Sequence, residues 1–215
     1  MKKLMLAKGS EPIILISLLF FATSMIFVPL SWFLLIPVAA FGILLGFSLF
    51  FFRDPERIAP EEEGVMVAPV DGRIVAIDEL DNGNYRIQIQ ISIFNVHINR
   101  TPLSGTVINV QKQHGAFWPV WYKRKYEDKN ARQHVDLKTD EGFEMRVTQI
   151  SGIVAWRCVS YVSPGTHLER NQRFGLIRFG SAMRVEFPKS SGYKPVVKLN
   201  DKIRSGEMII ARKEQ

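Results

Sequence analysis

The sequence predicts a mainly β protein preceded by an apolar helical hairpin. Three observations predict it. Residues 12–52 contain no Asp, Glu, Lys or Arg. The rest of the chain falls into short runs, alternating or β-branched, separated by Gly, Pro and Asn/Asp turns. No stretch beyond residue 53 sustains a long 3.6-residue apolar period.

The uncharged run comes first. As one helix it would reach roughly 60 Å at about 1.5 Å per residue, about twice a hydrocarbon core. Two spans fit better than one. Pro29-Leu30-Ser31-Trp32 supplies the break, because Pro29 lacks an amide donor and Trp32 suits an interface. The expected spans are 13–28 and 33–52, within a membrane anchor of residues 1–52. Pro37, Gly42 and Gly46 are tolerable in a membrane helix. Such a hairpin returns both ends to one side. Lys2, Lys3 and Lys8 flank its start, and Arg53 and Arg57 its end. The positive-inside rule therefore expects both ends, and the domain that follows, on the cytoplasmic side of the cell membrane. A cleaved signal peptide would have a shorter apolar core ending at small residues. A hairpin that re-enters without crossing satisfies the same composition, because the first span is short.

Composition bounds the remainder. With 23% charged residues in 215, the chain is not a disordered polyion. The net charge of +7 suggests anionic partners without choosing between lipid and nucleic acid. The single cysteine, Cys158, excludes a disulfide scaffold and a Cys-cluster zinc site.

Residues 53–215 form the second expected domain. Strands are expected at Val65–Val67, Arg73–Ile77, Tyr85–Ile91 and Glu144–Thr148, with a hairpin turn at Asp81-Asn82-Gly83-Asn84. The best helix candidate lies within Lys123–Arg132. A weak repeat links Ala68-Pro-Val-Asp-Gly-Arg-Ile-Val75 to Thr101-Pro-Leu-Ser-Gly-Thr-Val-Ile108, with a shorter echo at Ile150–Val154. A small turn residue leading into a strand produces that pattern. These units, and Asp201–Met208, resemble the hairpins of biotinyl/lipoyl-type barrel-sandwich folds. The likeness concerns fold alone.

Each candidate for chemistry has an ordinary structural explanation when taken alone. Gly180-Ser181 lies between two strand-like runs and lacks the Gly-x-Ser-x-Gly of a nucleophile elbow. His97 falls in Ile91–Arg100, where continuous alternation would put Ile91, Ile93, Asn95, His97 and Asn99 on one face. Asp71 sits in an Asp-Gly turn. His114, His134 and His167 have no metal-ligand spacing, so no metal site is expected. Phe117–Tyr126 sets aromatics beside Lys123-Arg124-Lys125, which suits anionic lipid headgroups. Base stacking by Trp118 and Trp121 is the competing reading, but no RNA motif accompanies it, so no nucleic-acid partner is expected.

Four segments together resemble the short form of the phosphatidylserine decarboxylases, which are pyruvoyl-dependent membrane enzymes. They are Phe51–Arg57, Ala68–Val75, Asn95–Arg100 with Pro102 and Gly105, and Arg173–Phe187. The resemblance covers about residues 50–188. It implies a barrel-sandwich-hybrid-like catalytic domain and a proenzyme that cuts itself between Gly180 and Ser181. Ser181 would attack the Gly180 carbonyl with His97 as base and Asp71 orienting it. The products would be 1–180 and 181–215, a heterodimer held together as strands of one sheet. Ser181 would end as a covalent pyruvoyl (pyruvate) cofactor. It would form a Schiff base with a membrane phospholipid carrying serine and release CO₂ to leave the ethanolamine lipid. Two departures stand out. Arg100 occupies the place of a second family histidine, and Ala182 replaces the Thr that often follows the cleavage serine.

The alternative of another class is a non-catalytic, membrane-anchored biotinyl-like adaptor. A carrier of that kind needs an exposed turn lysine, whereas the comparable turns offer Asp71 and Ser104.

Overall fold

A computed structural model describes residues 5–118, 129–152, 158–177 and 181–214. The chain divides into two units, Met1–Pro55 and Glu56–Gln215.

The first unit is a helical hairpin. Helix α1 (Glu11–Phe27) and helix α2 (Leu35–Phe51) flank two short 3₁₀ turns, Val28–Leu30 and Trp32–Leu34. Ser31 is extended between them, so the break falls where Pro29 and Trp32 predict it. With those turns each arm is 20 residues long, long and apolar enough to cross a membrane. The hairpin closes at its base, where the Ala7 amide donates to Phe52 O (2.8 Å) and the Asp54 amide to Met5 O (2.8 Å). Between the helices, the Ser17 and Ser48 hydroxyls lie 3.2 Å apart while bonding to Ile13 O and Leu44 O one turn back. Phe20 stacks on Phe41, with ring centroids 5.2 Å apart. No hydroxyl of that pair is left unsatisfied in an apolar setting.

The second unit is built of strands, with one 3₁₀ turn, Lys189–Ser191, among its described residues. The strands are β1 (Val65–Val67), β2 (Gly72–Glu79), β3 (Asn84–Ile91), β4 (Ile98–Arg100), β5 (Gly105–Gln113), β6 (Arg132–Thr139) and β7 (Glu144–Ile150). They continue as β8 (Cys158–Ser160), β9 (His167–Leu168), β10 (Arg173–Ile177), β11 (Ser181–Pro188), β12 (Tyr193–Pro195), β13 (Lys202–Ile203) and β14 (Ile209–Lys213). An eight-stranded antiparallel sheet runs β13-β2-β3-β11-β7-β6-β5-β9 and curls around the core. Two three-stranded sheets, β1-β14-β12 and β4-β10-β8, complete the unit. Alternation sets the inside: Ile87, Ile89 and Ile91 of β3, Met145 and Val147 of β7, and Met183, Val185 and Phe187 of β11 share one apolar cluster. The β2–β3 hairpin turns where Asp81–Asn84 predicts, with Gly83 at φ 80° and the Asn84 amide donating to Asn82 Oδ1.

Three expectations are corrected. First, the run Ile91–Asn99 is not one strand. The Ser92 amide donates to Asn95 Oδ1 (2.8 Å) and the Asn95 amide to Ser92 O (2.9 Å), so a turn intervenes and β4 joins another sheet. A short polar Ser and Asn that bond the local backbone override the alternation. Second, residues 181–215 do not lie in one sheet: β11 and β13 belong to the large sheet, β12 and β14 to a small one. Third, the helix expected within Lys123–Arg132 does not extend over its described part. Lys129 O accepts from the Ala116 amide, and Arg132 already opens β6. Residues 123–128 lie outside the described residues, as do Trp121 and the three cations after it. The nearer aromatics, Phe117 and Trp118, are exposed.

Candidate active site

Three strand ends converge at one end of the large sheet. Asp71 precedes β2, Ile91 closes β3 and Ser181 opens β11, in the sheet order β2-β3-β11. Ser181 lies directly across from Ile91, and Arg73 across from Gln90. Asp71 and Ser181 thus sit at the same end, two strand spacings apart.

β4 brings in His97 from the side. The Ile177 amide donates to His97 O (3.2 Å), so His97 adjoins the end of β10, the last described residue before Ser181. The Arg100 amide donates to Pro69 O (2.8 Å), which ties the same strand to the turn carrying Asp71. Gly180 lies outside the described residues. Ser181 and His97 are fully buried and Asp71 nearly so.

Ser181 belongs to the inward face of β11 with Met183 and Val185. One inward position along, at the level of Met183, the apolar interior gives way to a polar layer. Gln133 Nε2 donates to Gln149 Oε1 across β6–β7 (2.7 Å). Gln149 Nε2 donates to Asn99 Oδ1, and Asn99 Nδ2 to His97 O (3.2 Å). A row of buried amides therefore runs from the sheet to the backbone of His97. The Ser181 hydroxyl, by contrast, has no hydrogen-bond partner among the described residues. An orphaned buried hydroxyl costs free energy. It fits a residue that chemistry consumes, and so fits the pyruvoyl group that the resemblance implies.

Asp71 is held from two sides. Arg57 Nη2 donates to its Oδ2 (3.1 Å) and the Ser205 amide to its Oδ1 (2.8 Å). Arg57 Nη1 also reaches Glu207 (2.9 Å). Among the described residues the Asp71 carboxylate bonds to these groups and not to the His97 ring. Gly72 is required beside it, because a Cβ there would lie 2.4 Å from Gln90 O. Asp71 also lines a cleft of about 810 Å³ with Arg73, Gln90, Ile91, Lys202 and Arg204.

The departures have structural settings. Arg100 is buried and its guanidinium donates to Asn171 O (3.0 Å), in a turn where Asn171 takes φ 71°. Ala182 is fully buried between Gln90 and Ile150. His134 bonds Thr148 and His167 bonds Asp140, both on strand surfaces. No group of three or more His, Cys, Asp or Glu that could hold a metal occurs among the described residues. Burial lifts the Cys158 thiol to about 11, so it is not a reactive thiolate.

Sequence reasoning missed Arg57 and the amide row. Arg57 stands in a segment that carries the resemblance, yet nothing local in the sequence assigns it a chemical part. The amides carry a legible signal: Gln133 and Gln149 occupy inward positions of otherwise apolar alternations, Gln133-Val135-Leu137 and Met145-Val147-Gln149.

A buried serine, histidine and aspartate gathered at one end of a curled sheet define a candidate catalytic centre. The sequence model of phosphatidylserine decarboxylase matches residues 44–211. The chain is 40% identical over 179 residues to the phosphatidylserine decarboxylase proenzyme of Pelobacter propionicus, covering 81% of this chain and 80% of that protein. It is 38% identical to the proenzyme of that name from Symbiobacterium thermophilum (81% and 84% covered) and 39% to that from Geotalea uraniireducens (84% and 85%). The chain belongs to the phosphatidylserine decarboxylase family.

Proposed function

We propose that the chain is a proenzyme that cuts itself between Gly180 and Ser181 and then decarboxylates phosphatidylserine to phosphatidylethanolamine. The single observation that carries the reading is the Ser181 hydroxyl, fully buried and without a partner among the described residues. Family membership supplies the substrate.

Self-cleavage needs a nucleophile, a base and a leaving nitrogen. Ser181 Oγ attacks the Gly180 carbonyl carbon and gives its proton to His97. The peptide C–N bond breaks as the ester bond forms, and the departing nitrogen takes that proton. Loss of the Ser181 Cα proton then expels the Gly180 carboxylate. Water replaces the nitrogen, which leaves as ammonia, so residue 181 ends as a pyruvoyl cap on 181–215. Asp71 stabilises the imidazolium through its charge, while Arg57 and the Ser205 amide fix its orientation. Besides the pairing of β11, β13 and β14 with strands of 1–180, contacts such as Arg57–Glu207 and Asp71–Ser205 join the two fragments after the cut.

The pyruvoyl group supplies an electron sink for the charge left on the substrate α-carbon when CO₂ departs. His97 returns a proton to that carbon. The amide row holds the His97 backbone in place during both reactions. The hairpin keeps the enzyme at the cell membrane where its substrate lies, and the cations at both ends of the hairpin favour the cytoplasmic side. The adaptor alternative has no support in the family match.

Intact mass of the purified protein tests the reading. Two pieces parted between Gly180 and Ser181, the smaller with a blocked pyruvoyl terminus, are expected. A single uncut chain after prolonged incubation overturns it.

A further inference from the structure

The geometry points to a second membrane contact: the rim of the Asp71 cleft docks on an anionic phospholipid bilayer. Ile93 and Phe94 enter the headgroup region, and Arg73, Lys202 and Arg204 meet lipid phosphates. This rests on the reading of that cleft as part of the lipid-processing centre.

The charge arrangement is the first support. Lys202 pairs directly across from Arg73. Like charges directly opposite weaken a sheet. Among the described residues neither has an ion-pair partner. Arg204, exposed beyond Lys202, comes no closer than 3.9 Å to Glu207, which already holds Arg57. All three cations line the cleft, and the acid lining it, Asp71, is engaged by Arg57. The three cations repel one another, whereas an anion placed against them reverses the sign of the interaction.

The second support is the turn after β3. Two hydrogen bonds between Ser92 and Asn95 pin it, and its tip presents Ile93 and Phe94, 42% and 66% exposed. Ile93 lines the same cleft, as does the exposed Met208. Large apolar side chains on a pinned tip beside a cluster of like charges match an interface that is apolar in depth and anionic at its surface. A single-stranded nucleic acid stacks a base on an aromatic ring but leaves Ile93 and Met208 in water. The bilayer therefore fits both features, and nucleic acid only one.

The test uses the full chain reconstituted into phosphatidylcholine vesicles with or without phosphatidylglycerol, so no turnover is required. In a Cys158→Ser background, Phe94→Cys carries an environment-sensitive fluorophore. Ile108→Cys, exposed on β5 across the sheet, carries it as the control. Nitroxide-labelled lipid is the quencher. Quenching at position 94 is expected to exceed that at 108 by about threefold or more in phosphatidylglycerol vesicles. Lys202→Glu with Arg204→Glu should remove most of that excess. Equal quenching at 94 and 108 overturns the proposal, and so does an emission shift at 94 caused by a single-stranded oligonucleotide instead of by vesicles. Ser181→Ala separates the two readings, because docking should survive in it whether or not the wild-type chain cuts itself.

Discussion

The Arg57 guanidinium lies 3.1 Å from the Asp71 carboxylate and 2.9 Å from that of Glu207, with 12% of the Arg57 side chain and 11% of Asp71 exposed. One cation thus joins two acids that are distant in sequence and stand beside the proposed reaction centre. Removing it leaves two carboxylates facing each other in a poorly hydrated place. Arg57→Leu should lose about 3 kcal/mol of stability in denaturant unfolding, and Arg57→Lys less, because an ammonium cannot serve both acids with a planar fork. Cleavage should slow in both variants, since Asp71 loses the group that orients it. An unchanged unfolding midpoint in Arg57→Leu would show that the pair holds nothing.

Ser181→Ala separates chemistry from folding. The hydroxyl has no partner among the described residues, so its loss removes a desolvation cost and no bond. The variant should remain one uncut, inactive chain, as stable as the wild-type precursor or more so by about 1 kcal/mol. Mass spectrometry reads the first result and thermal unfolding the second. A strongly destabilised variant would mean that the hydroxyl has a structural partner.

Much of this was legible in the sequence. Pro29 and Trp32 marked the hairpin break because proline and an interfacial aromatic act locally. Asp81–Asn84 marked the β2–β3 turn for the same kind of reason. Ser181, His97 and Asp71 are candidates through resemblance only, since each is an ordinary turn or strand residue alone. The alternation through Ile91–Asn99 misled, because Ser92 and Asn95 bond their own backbone and break a pattern that hydrophobicity continues. Arg57–Asp71–Glu207 and the division of 181–215 between two sheets depend on long-range pairing, which no local spacing encodes.

Gly72 offers a purely steric test. Its missing Cβ admits Gln90 O, which would lie 2.4 Å from an added carbon, and Ile89 Cγ2, which would lie 2.7 Å away. The first neighbour is backbone in a paired strand and cannot move aside cheaply. Gly72→Ala should cost about 2 kcal/mol or more and displace Asp71. Uncut precursor should therefore accumulate even at temperatures where the variant is folded. Gly142→Ala is a useful contrast. It lies in open space at φ 94°, so it should strain its own turn without affecting cleavage.

The amide row is open to a similar comparison. Gln149→Leu leaves Gln133 Nε2 and Asn99 Oδ1 buried without the partner they share. A loss of about 2–3 kcal/mol is expected, together with slower cleavage, because Asn99 also bonds the His97 carbonyl. Gln149→Glu keeps the shape but places an acceptor against Asn99 Oδ1, and should restore less function than the wild-type amide. Full cleavage in Gln149→Leu would mean that β4 needs no support from the sheet.

Stability should depend on pH through two groups outside the reaction centre. Burial lowers the His134 pKa below 6.5, and the guanidiniums of Arg146 and Arg132 lower it further, against the smaller pull of Asp136 and Glu186. As pH falls below 6.5 the unfolded chain takes up this proton first, so the folded state loses stability until the folded-state pKa is passed. Above 6.5 this group costs nothing. Burial raises the Asp136 pKa, but hydrogen bonds from Arg146 and Asn109 more than reverse it, leaving it below 3.8. Its contribution is present above 3.8 and lost as pH falls through the folded value. Two separate declines are expected, the first starting below 6.5 and the second below 3.8. Both should be small, because these side chains are only partly buried and solvent screens them. His134→Gln should abolish the first decline and leave the second, measured as denaturant midpoints across that range. A first decline that persists in His134→Gln would show that His134 does not carry it.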